Sequence, residues 1–205
     1  MATRETEITP EPPEAPLTPE PPEIKHPAEL LLSERLRLRF WRRSEAEETF
    51  KVVWRHRERL GRFLPWVAAT KGPEASLEFI ERIERTSAEG TEYAWSIRAR
   101  TETGERGRLL GSIGIHSIKR EAGRCEIGYW IAEEGQGFVT EAVRRLEAEL
   151  ARIGFTEARI HCSAENHRSA AVPRRLGYEL IKREMVLPPG ATEKIEALVF
   201  AKPID

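Results

Sequence analysis

The sequence predicts a single α/β domain, a mixed sheet with helices on its faces. Three observations carry that expectation. Apolar runs of period two alternate with helical stripes in the order β-α-α-β-β-β-α-β-α-β-β, which suits a mixed sheet. The 205 residues are 40% apolar, enough for one domain with a substantial core. No internal repeat divides the chain.

Residues 1–28 hold eight of the fourteen Pro and six Glu, with only Arg4 and Lys25 as cations. So little apolar surface cannot offset the entropy of ordering, so a flexible Pro/Glu-rich arm is expected, with the folded domain over 29–205. Leu36, Leu38 and Phe40, separated by Arg, then predict a strand, and Ser44 reads as the N-cap of a helix running to Gly61. Phe63-Leu64-Pro65-Trp66 is an aromatic loop, and Pro73 opens a second helix with Leu77, Ile80 and Ile83 at helical spacing. Strands follow over Tyr93–Arg100, Leu109–Ile118 and Arg124–Ala132, with Gly104–Gly107 as a hairpin linker between the first two. Val139, Ala142, Val143, Leu146, Leu150 and Ile153 form one helical stripe. A strand over Ala158–Ala164, a short helix over Ser169–Leu176, and a closing pair over Leu180–Leu187 and Ile195–Phe200 complete the order.

Composition removes several classes of function. The 33 Lys+Arg against 34 Asp+Glu leave a net charge of −1, which argues against a nucleic-acid partner held by bulk charge. No apolar run approaches the ~20 residues of a membrane span, and the N-terminal region lacks a signal peptide's apolar segment. Two Cys cannot make a disulfide scaffold, so a cytoplasmic setting is expected. The chain has 26 Arg against 7 Lys, and a single Asn (Asn166) and a single Gln (Gln136). A sequence that avoids amides has kept one of each.

The segment Ile127–Ala142 carries the clearest chemistry. An apolar strand runs into Glu134-Gly135-Gln136-Gly137, which opens an amphipathic helix at Phe138-Val139-Thr140. Glycines let backbone approach a ligand closely, and the unpaired N–H groups of a helix start favour an anion, here one of pyrophosphate type. The segment lacks the endings of a P-loop and of a dinucleotide fingerprint, and taken alone it also reads as a tight turn. Asn166 and Ser169, after the next strand, suit helix capping. Pro173 lacks the N–H that would bond the carbonyl of Ser169, so the short helix is expected to be irregular there.

Five blocks in order resemble the GNAT superfamily of acetyl-CoA-dependent N-acetyltransferases, in its RimJ/RimL-like branch. They are Leu64-Pro65-Trp66-Val67, Gly111-Ser112-Ile113-Gly114, Glu126-Ile127-Gly128-Tyr129-Trp130, Gly135-x-Gly137-x-x-Thr140-Glu141-Ala142, and Asn166-x-x-Ser169 ending in Leu176-Gly177-Tyr178. The resemblance spans about residues 30–203. It implies a GNAT-type sheet whose two central parallel strands splay, with pantetheine in the gap. It further implies that backbone N–H groups at Trp130 and Ile131 hold the thioester carbonyl, and that the loop of Gly135, Gln136, Gly137, Phe138, Val139 and Thr140 wraps the pyrophosphate. Asn166 would bond the pantetheine arm, and Ser169 would give the leaving thiolate its proton. The family's loop after the first helix borders the acceptor site, so Phe63 and Trp66 would line it, although with Trp41 and Trp54 nearby the cluster also reads as core. The many Arg read chiefly as a solvated face, from which Arg168 or Arg174 could reach the nucleotide phosphate.

The implied reaction moves acetyl to a primary amine by direct attack, and a protein or peptide N-terminus is the first acceptor class. An α-amine of pKa ≈ 7.7–8.0 is partly neutral at pH 7, whereas Lys is almost wholly charged. Glu126 is the first candidate base and His116 the second; a cross-strand ion pair is the alternative for Glu126. The family's loop carries Gln or Arg where this chain has Glu134, a carboxylate that would repel pyrophosphate unless it faces solvent or meets an Arg. That departure motivates one rival, a non-catalytic acyl-CoA-binding module; a small-molecule amine acetyltransferase is another. Cys125 and Cys162 lie in apolar strand patterns and read as small hydrophobes. His161, Cys162 and His167 lack further ligands at zinc spacing, so no metal is expected. A monomer or homodimer without direct nucleic-acid or membrane contact completes the reading.

Overall fold

The computed structural model describes residues 25–103, 106–188 and 190–205. Most of the predicted arm, and Gly104 of the hairpin linker, lie outside the described residues. The strands are β1 (Leu30–Leu32), β2 (Leu36–Phe40), β3 (Tyr93–Ala99), β4 (Leu109–Lys119), β5 (Arg124–Ile131), β6 (Glu157–Ser163), β7 (Glu179–Val186) and β8 (Ile195–Pro203). The helices are α1 (Ala46–Arg55), α2 (Arg57–Leu60), α3 (Pro73–Glu89), α4 (Phe138–Ile153) and α5 (His167–Arg175). One sheet orders the strands β1-β2-β3-β4-β5-β6-β8-β7, antiparallel throughout except for β5 and β6.

That one parallel pair positions everything else. β5 and β6 are in register only at Arg124↔Glu157, Cys125↔Ala158 and Glu126↔Arg159. Beyond Glu126, β5 continues against β4 as far as Ile131↔Gly111, while β6 continues against β8 as far as Ser163↔Ala197. The sheet therefore opens into a V on the C-terminal side of Glu126, the splay that the resemblance implies.

The apolar stripe of α4 closes one face. Ala142, Val143, Leu146 and Leu150 are fully buried, against Leu36, Leu38, Trp95 and Ile127 among others. A fully buried Leu or Ile contributes about 1.5–3 kcal/mol, so this helix is held chiefly by its stripe. α1 and α3 cover part of the other face through Trp41, Ala46, Ile80 and Ile83, and leave the β5–β6 end of that face open to partly exposed side chains.

Three local expectations change. Ser44 is not an N-cap: it lies in a 3-10 turn over Arg43–Glu45, and the N–H of Arg42 donates to Glu45 Oε2 at 2.8 Å. The Glu45 carboxylate is drawn inside because it also accepts from Arg98 Nη2 at 2.6 Å and from Arg39 Nη2 at 2.9 Å. The helix predicted to run to Gly61 breaks at His56 (φ −108°, ψ 12°), which turns α2 so that Leu60 meets Val53 and Val67. Ordered contacts also begin four residues before Glu29. Lys25 N–H donates to Ile153 O at 2.8 Å, Ala28 N–H to Glu149 Oε1 at 2.7 Å, and Trp95 Nε1 to Ala28 O at 3.0 Å.

Candidate active site

A cleft of about 1510 Å³ opens where β5 and β6 part, bounded by the β5–α4 loop, the first turn of α4 and the start of α5. It brings together Trp130, Ile131, Gly135, Gln136, Gly137, Phe138, Val139, Thr140, Asn166 and Ser169, with Phe63 also in its wall. Trp66 and Glu126 are not in its wall. The Trp66 ring lies 6.2 Å from that of Trp130, and Glu126, on the same face of β5 as Trp130, lies four residues back at the closed end of the V.

The mouth of α4 is built for close approach. Gly137, at φ 73°, precedes the helix and offers no side chain to cap it; Gly135 has φ 78°. Both angles lie in the left-handed region that favours glycine. A Cβ at Gly135 would meet nothing within 4 Å, so the loop's backbone faces open space. The first-turn N–H groups of this sixteen-residue helix thus meet the cleft without a cap, a setting that favours an anion. Arginines surround it. Arg35 Nη1 donates to Gln136 O at 3.1 Å, its guanidinium lies 4.9 Å over the Phe138 ring, and Arg175 Nη1 donates to Thr140 Oγ1 at 2.9 Å. Arg175, not Arg174, reaches the loop; Arg174 lies over the Phe200 ring instead. The Gln136 side chain is exposed, and its contribution to the loop here is its carbonyl.

The carboxylate at the departing position is matched by cations. Glu134 Oε1 accepts from Arg59 Nη1 at 2.9 Å, and Glu134 Oε2 pairs with Arg168. Arg59 also donates through Nη2 to Ile131 O at 2.9 Å and Ala132 O at 2.7 Å, so α2 grips the end of β5. The Arg168 side chain stays largely exposed beside this pair. The grip bears on backbone direction. Ala132 N–H donates to Leu110 O at 2.7 Å, so alternation turns the Trp130 N–H into the ladder with β4 and the Ile131 N–H toward the open V. Of the two amides expected to hold a carbonyl, only that of Ile131 faces the gap.

On the α5 side, Asn166 is the helix N-cap, its Oδ1 accepting from Ser169 N–H at 3.1 Å. The Tyr129 hydroxyl lies 3.2 Å from both the carbonyl oxygen and Oγ of Ser169. Burial pushes that hydroxyl well above the ordinary tyrosine range, so it stays protonated as a donor. Burial also pushes the Cys125 thiol up to about 12 and raises that of Cys162, which makes neither a nucleophile at neutral pH.

The opposite face of β5 gathers Glu126 and both notable histidines. Glu126 Oε1 is 3.8 Å from His116 Nε2 and 3.5 Å from His161 Nδ1. His116 sits at a bulge of β4 beside Ser117, a non-glycine residue at φ 49°, and its Nδ1 is 3.1 Å from Ser117 Oγ. A Cβ on Gly128 would come within 3.1 Å of His116 Nε2, so that glycine makes room for the ring. Tyr129, Arg59, Arg35 and Arg175 are the residues that sequence reasoning missed. Only Pro173 gave a signal, pointing at the Ser169 carbonyl.

The family model for the acetyltransferase (GNAT) domain matches residues 35–179, most of the chain and all of the cleft lining except Ser33 and Glu34. The chain belongs to the GNAT acetyltransferase family. Among curated proteins it is 28% identical over 161 residues to the "Putative ribosomal N-acetyltransferase YdaF" of Bacillus subtilis (strain 168), covering 72% of this chain and 79% of that one. Among solved structures, the fold matches RimL, a ribosomal L7/L12 alpha-N-protein acetyltransferase in complex with coenzyme A. That match has a TM-score of 0.76 at 22% identity, over 86% of this chain and 99% of that one. The microcin C7 self-immunity acetyltransferase MccE, in complex with acetyl-CoA and AMP, matches with a TM-score of 0.75 at 20% identity, over 84% of this chain and 94% of that one.

Proposed function

We propose that this acetyltransferase moves the acetyl group of acetyl-CoA to a primary amine, with the N-terminal α-amine of a protein or peptide as acceptor. The observation that carries the reading is the V between β5 and β6, with an uncapped helix mouth at its rim, a candidate acid on α5 against the Tyr129 side of β5 and a candidate base on the other side of that strand. The donor set fits the cosubstrate: backbone N–H groups of Phe138–Thr140 with Arg35 and Arg175 for pyrophosphate, and the Ile131 amide for the thioester oxygen. The Glu134 carboxylate is offset by Arg59 and Arg168, which removes the motive for a non-catalytic reading.

The chain's own residues then divide the work. The amine nitrogen bonds the acetyl carbon and the carbon–sulfur bond breaks. Glu126, flanked by His116 and His161, takes the proton that the amine sheds. Ser169 Oγ gives a proton to the sulfur and regains one from solvent. A terminal α-amine, partly neutral near pH 7, asks little of this base, which favours it over a lysine side chain. The relative named for ribosomal N-acetylation supports the same acceptor class.

The test is thiol release from acetyl-CoA with four acceptors: peptides with a free α-amine, an Nα-blocked lysine peptide, a polyamine and an aminoglycoside. Turnover with the free α-amine peptides, and at least tenfold less with the others, is expected. Preference for the polyamine or the aminoglycoside overturns the acceptor assignment, and no binding of acetyl-CoA overturns the whole reading.

A further inference from the structure

We infer that Tyr129 is a positioning residue for Ser169, and that Pro173 favours the arrangement by leaving the Ser169 carbonyl without its helical donor. The inference rests on the proposed role of Ser169 as proton donor to the leaving sulfur. In a regular helix the N–H of residue 173 would donate to the carbonyl of Ser169, and proline has none to give. That carbonyl, in a partly buried setting, accepts from the Tyr129 hydroxyl at 3.2 Å instead. The same hydroxyl oxygen lies 3.2 Å from Ser169 Oγ.

Counting protons orders this pair. A carbonyl can only accept, so the single Tyr129 proton goes to Ser169 O. The Tyr129 lone pairs are then an acceptor for Ser169 Oγ–H, beside the Cys162 sulfur, which also meets that hydroxyl. Tyr129 thereby fixes the place of Ser169 Oγ on the wall of the cleft that also holds Asn166, and the Oγ–H turns from the Tyr129 oxygen to the sulfur as the thiolate leaves. Tyr129 comes from β5 beyond the last β5–β6 pair, so its side chain spans from one arm of the V to the helix that follows the other arm. It ties the position of the acid to the width of the gap. The ring packs against the main core, and the sequence carries a phenol where a phenylalanine would fill the same space.

The test uses Tyr129→Phe, Ser169→Ala and Pro173→Ala in the full chain. Tyr129→Phe removes one oxygen and is expected to lower kcat about tenfold, while the KM for acetyl-CoA stays within about twofold. In a Ser169→Ala background the same change is expected to have no further effect on kcat, because both act through one hydroxyl. Pro173→Ala restores a helical donor to the Ser169 carbonyl. It is expected to raise Tm while lowering kcat severalfold, two readouts that a merely structural proline would move together.

A second readout needs no acceptor. Calorimetry with CoA and desulfo-CoA is expected to show that wild type prefers CoA, and that Tyr129→Phe and Ser169→Ala lose that preference equally. Wild-type preference for CoA in Tyr129→Phe, or an equal kcat loss with and without Ser169, overturns the inference. Failure of every amine with the CoA preference intact would instead strike only the acceptor assignment. Failure of the wild type to bind CoA removes the proposed function and this inference with it.

Discussion

Replacing Arg59 with Met should weaken acetyl-CoA binding although Arg59 belongs to no part of the recognisable cofactor loop. Its guanidinium donates to Ile131 O at 2.9 Å, to Ala132 O at 2.7 Å and to Glu134 Oε1 at 2.9 Å. Hydrogen bonds to charged groups contribute about 1.5–3 kcal/mol each when buried, and exposed ion pairs about 0–1 kcal/mol. Arg59 is about one-third exposed, so the lower ends apply, and the net loss of order at the strand end comes to roughly 2 kcal/mol. Expressed wholly in binding, that is about a 30-fold rise in Kd, since about 1.4 kcal/mol is tenfold. Met keeps most of the aliphatic volume, so the loss belongs to the fork rather than to a cavity. Lys at this position keeps the charge without the fork and should fall between the two. Titration calorimetry with acetyl-CoA, alongside thermal unfolding, reads both quantities. A Kd for Arg59→Met within twofold of wild type would refute the reasoning, because the Ile131 amide would then not depend on this grip.

Three further outcomes follow from other parts of the molecule. Glu45→Ala takes one of two carboxylates from the buried Arg98, which keeps Glu48 and the Gly107 carbonyl, so it should destabilise by about 1.5–3 kcal/mol and lower Tm by roughly 5 °C in thermal denaturation. Gly137→Ala forces an L-residue to φ 73° at a strain of about 1–2 kcal/mol and should weaken CoA binding severalfold in calorimetry, although a Cβ there meets only Arg35 Nη2 at 3.7 Å. Burial acts to raise the Glu141 carboxyl, but hydrogen bonds from Arg35 N–H, the Ser33 hydroxyl and the Arg35 guanidinium outweigh it and hold the group below its usual range. A depressed carboxylate stabilises the fold above its unfolded pKa and loses that contribution as pH falls through the folded value. Urea unfolding of Glu141→Gln should therefore show a smaller loss of stability than wild type between pH 7 and pH values below the ordinary 4.5.

The main elements were legible because their patterns are local. The α4 stripe and the alternation of β3, β4 and β5 follow from spacing alone, and the ends of the seven predicted strands lie within one or two residues apart from the far end of β8, whereas the three-residue β1 is too short to show a period and goes unpredicted. The Gly135–Thr140 loop and the Asn166–Ser169 turn were legible too, since turn chemistry is written in adjacent residues. What stayed hidden depends on partners far apart in the chain. Glu134 looked repulsive because nothing in its neighbourhood announces that Arg59, 75 residues earlier, arrives on a helix turned by the break at His56. Ser44 looked like a cap because its type suits one, whereas the buried demand of Arg98 makes Glu45 the capping group. Arg174 and Arg175 are adjacent, and only the helix phase decides that the second reaches Thr140. Asn166 serves its helix as a cap, and the side chain of Gln136 lies in the open, so the two retained amides flank one cleft by different means.

The central claim is that the V between β5 and β6 delivers acetyl to an α-amine. Its most direct test is a peptide that carries both a free N-terminus and an internal lysine, incubated with the protein and acetyl-CoA and read by fragment-ion mass spectrometry. The account predicts acetyl on the α-nitrogen, lost when Ser169 is replaced by Ala and unmoved when the lysine is removed. Acetyl on the lysine side chain, or none on either amine while CoA binds tightly, would contradict it.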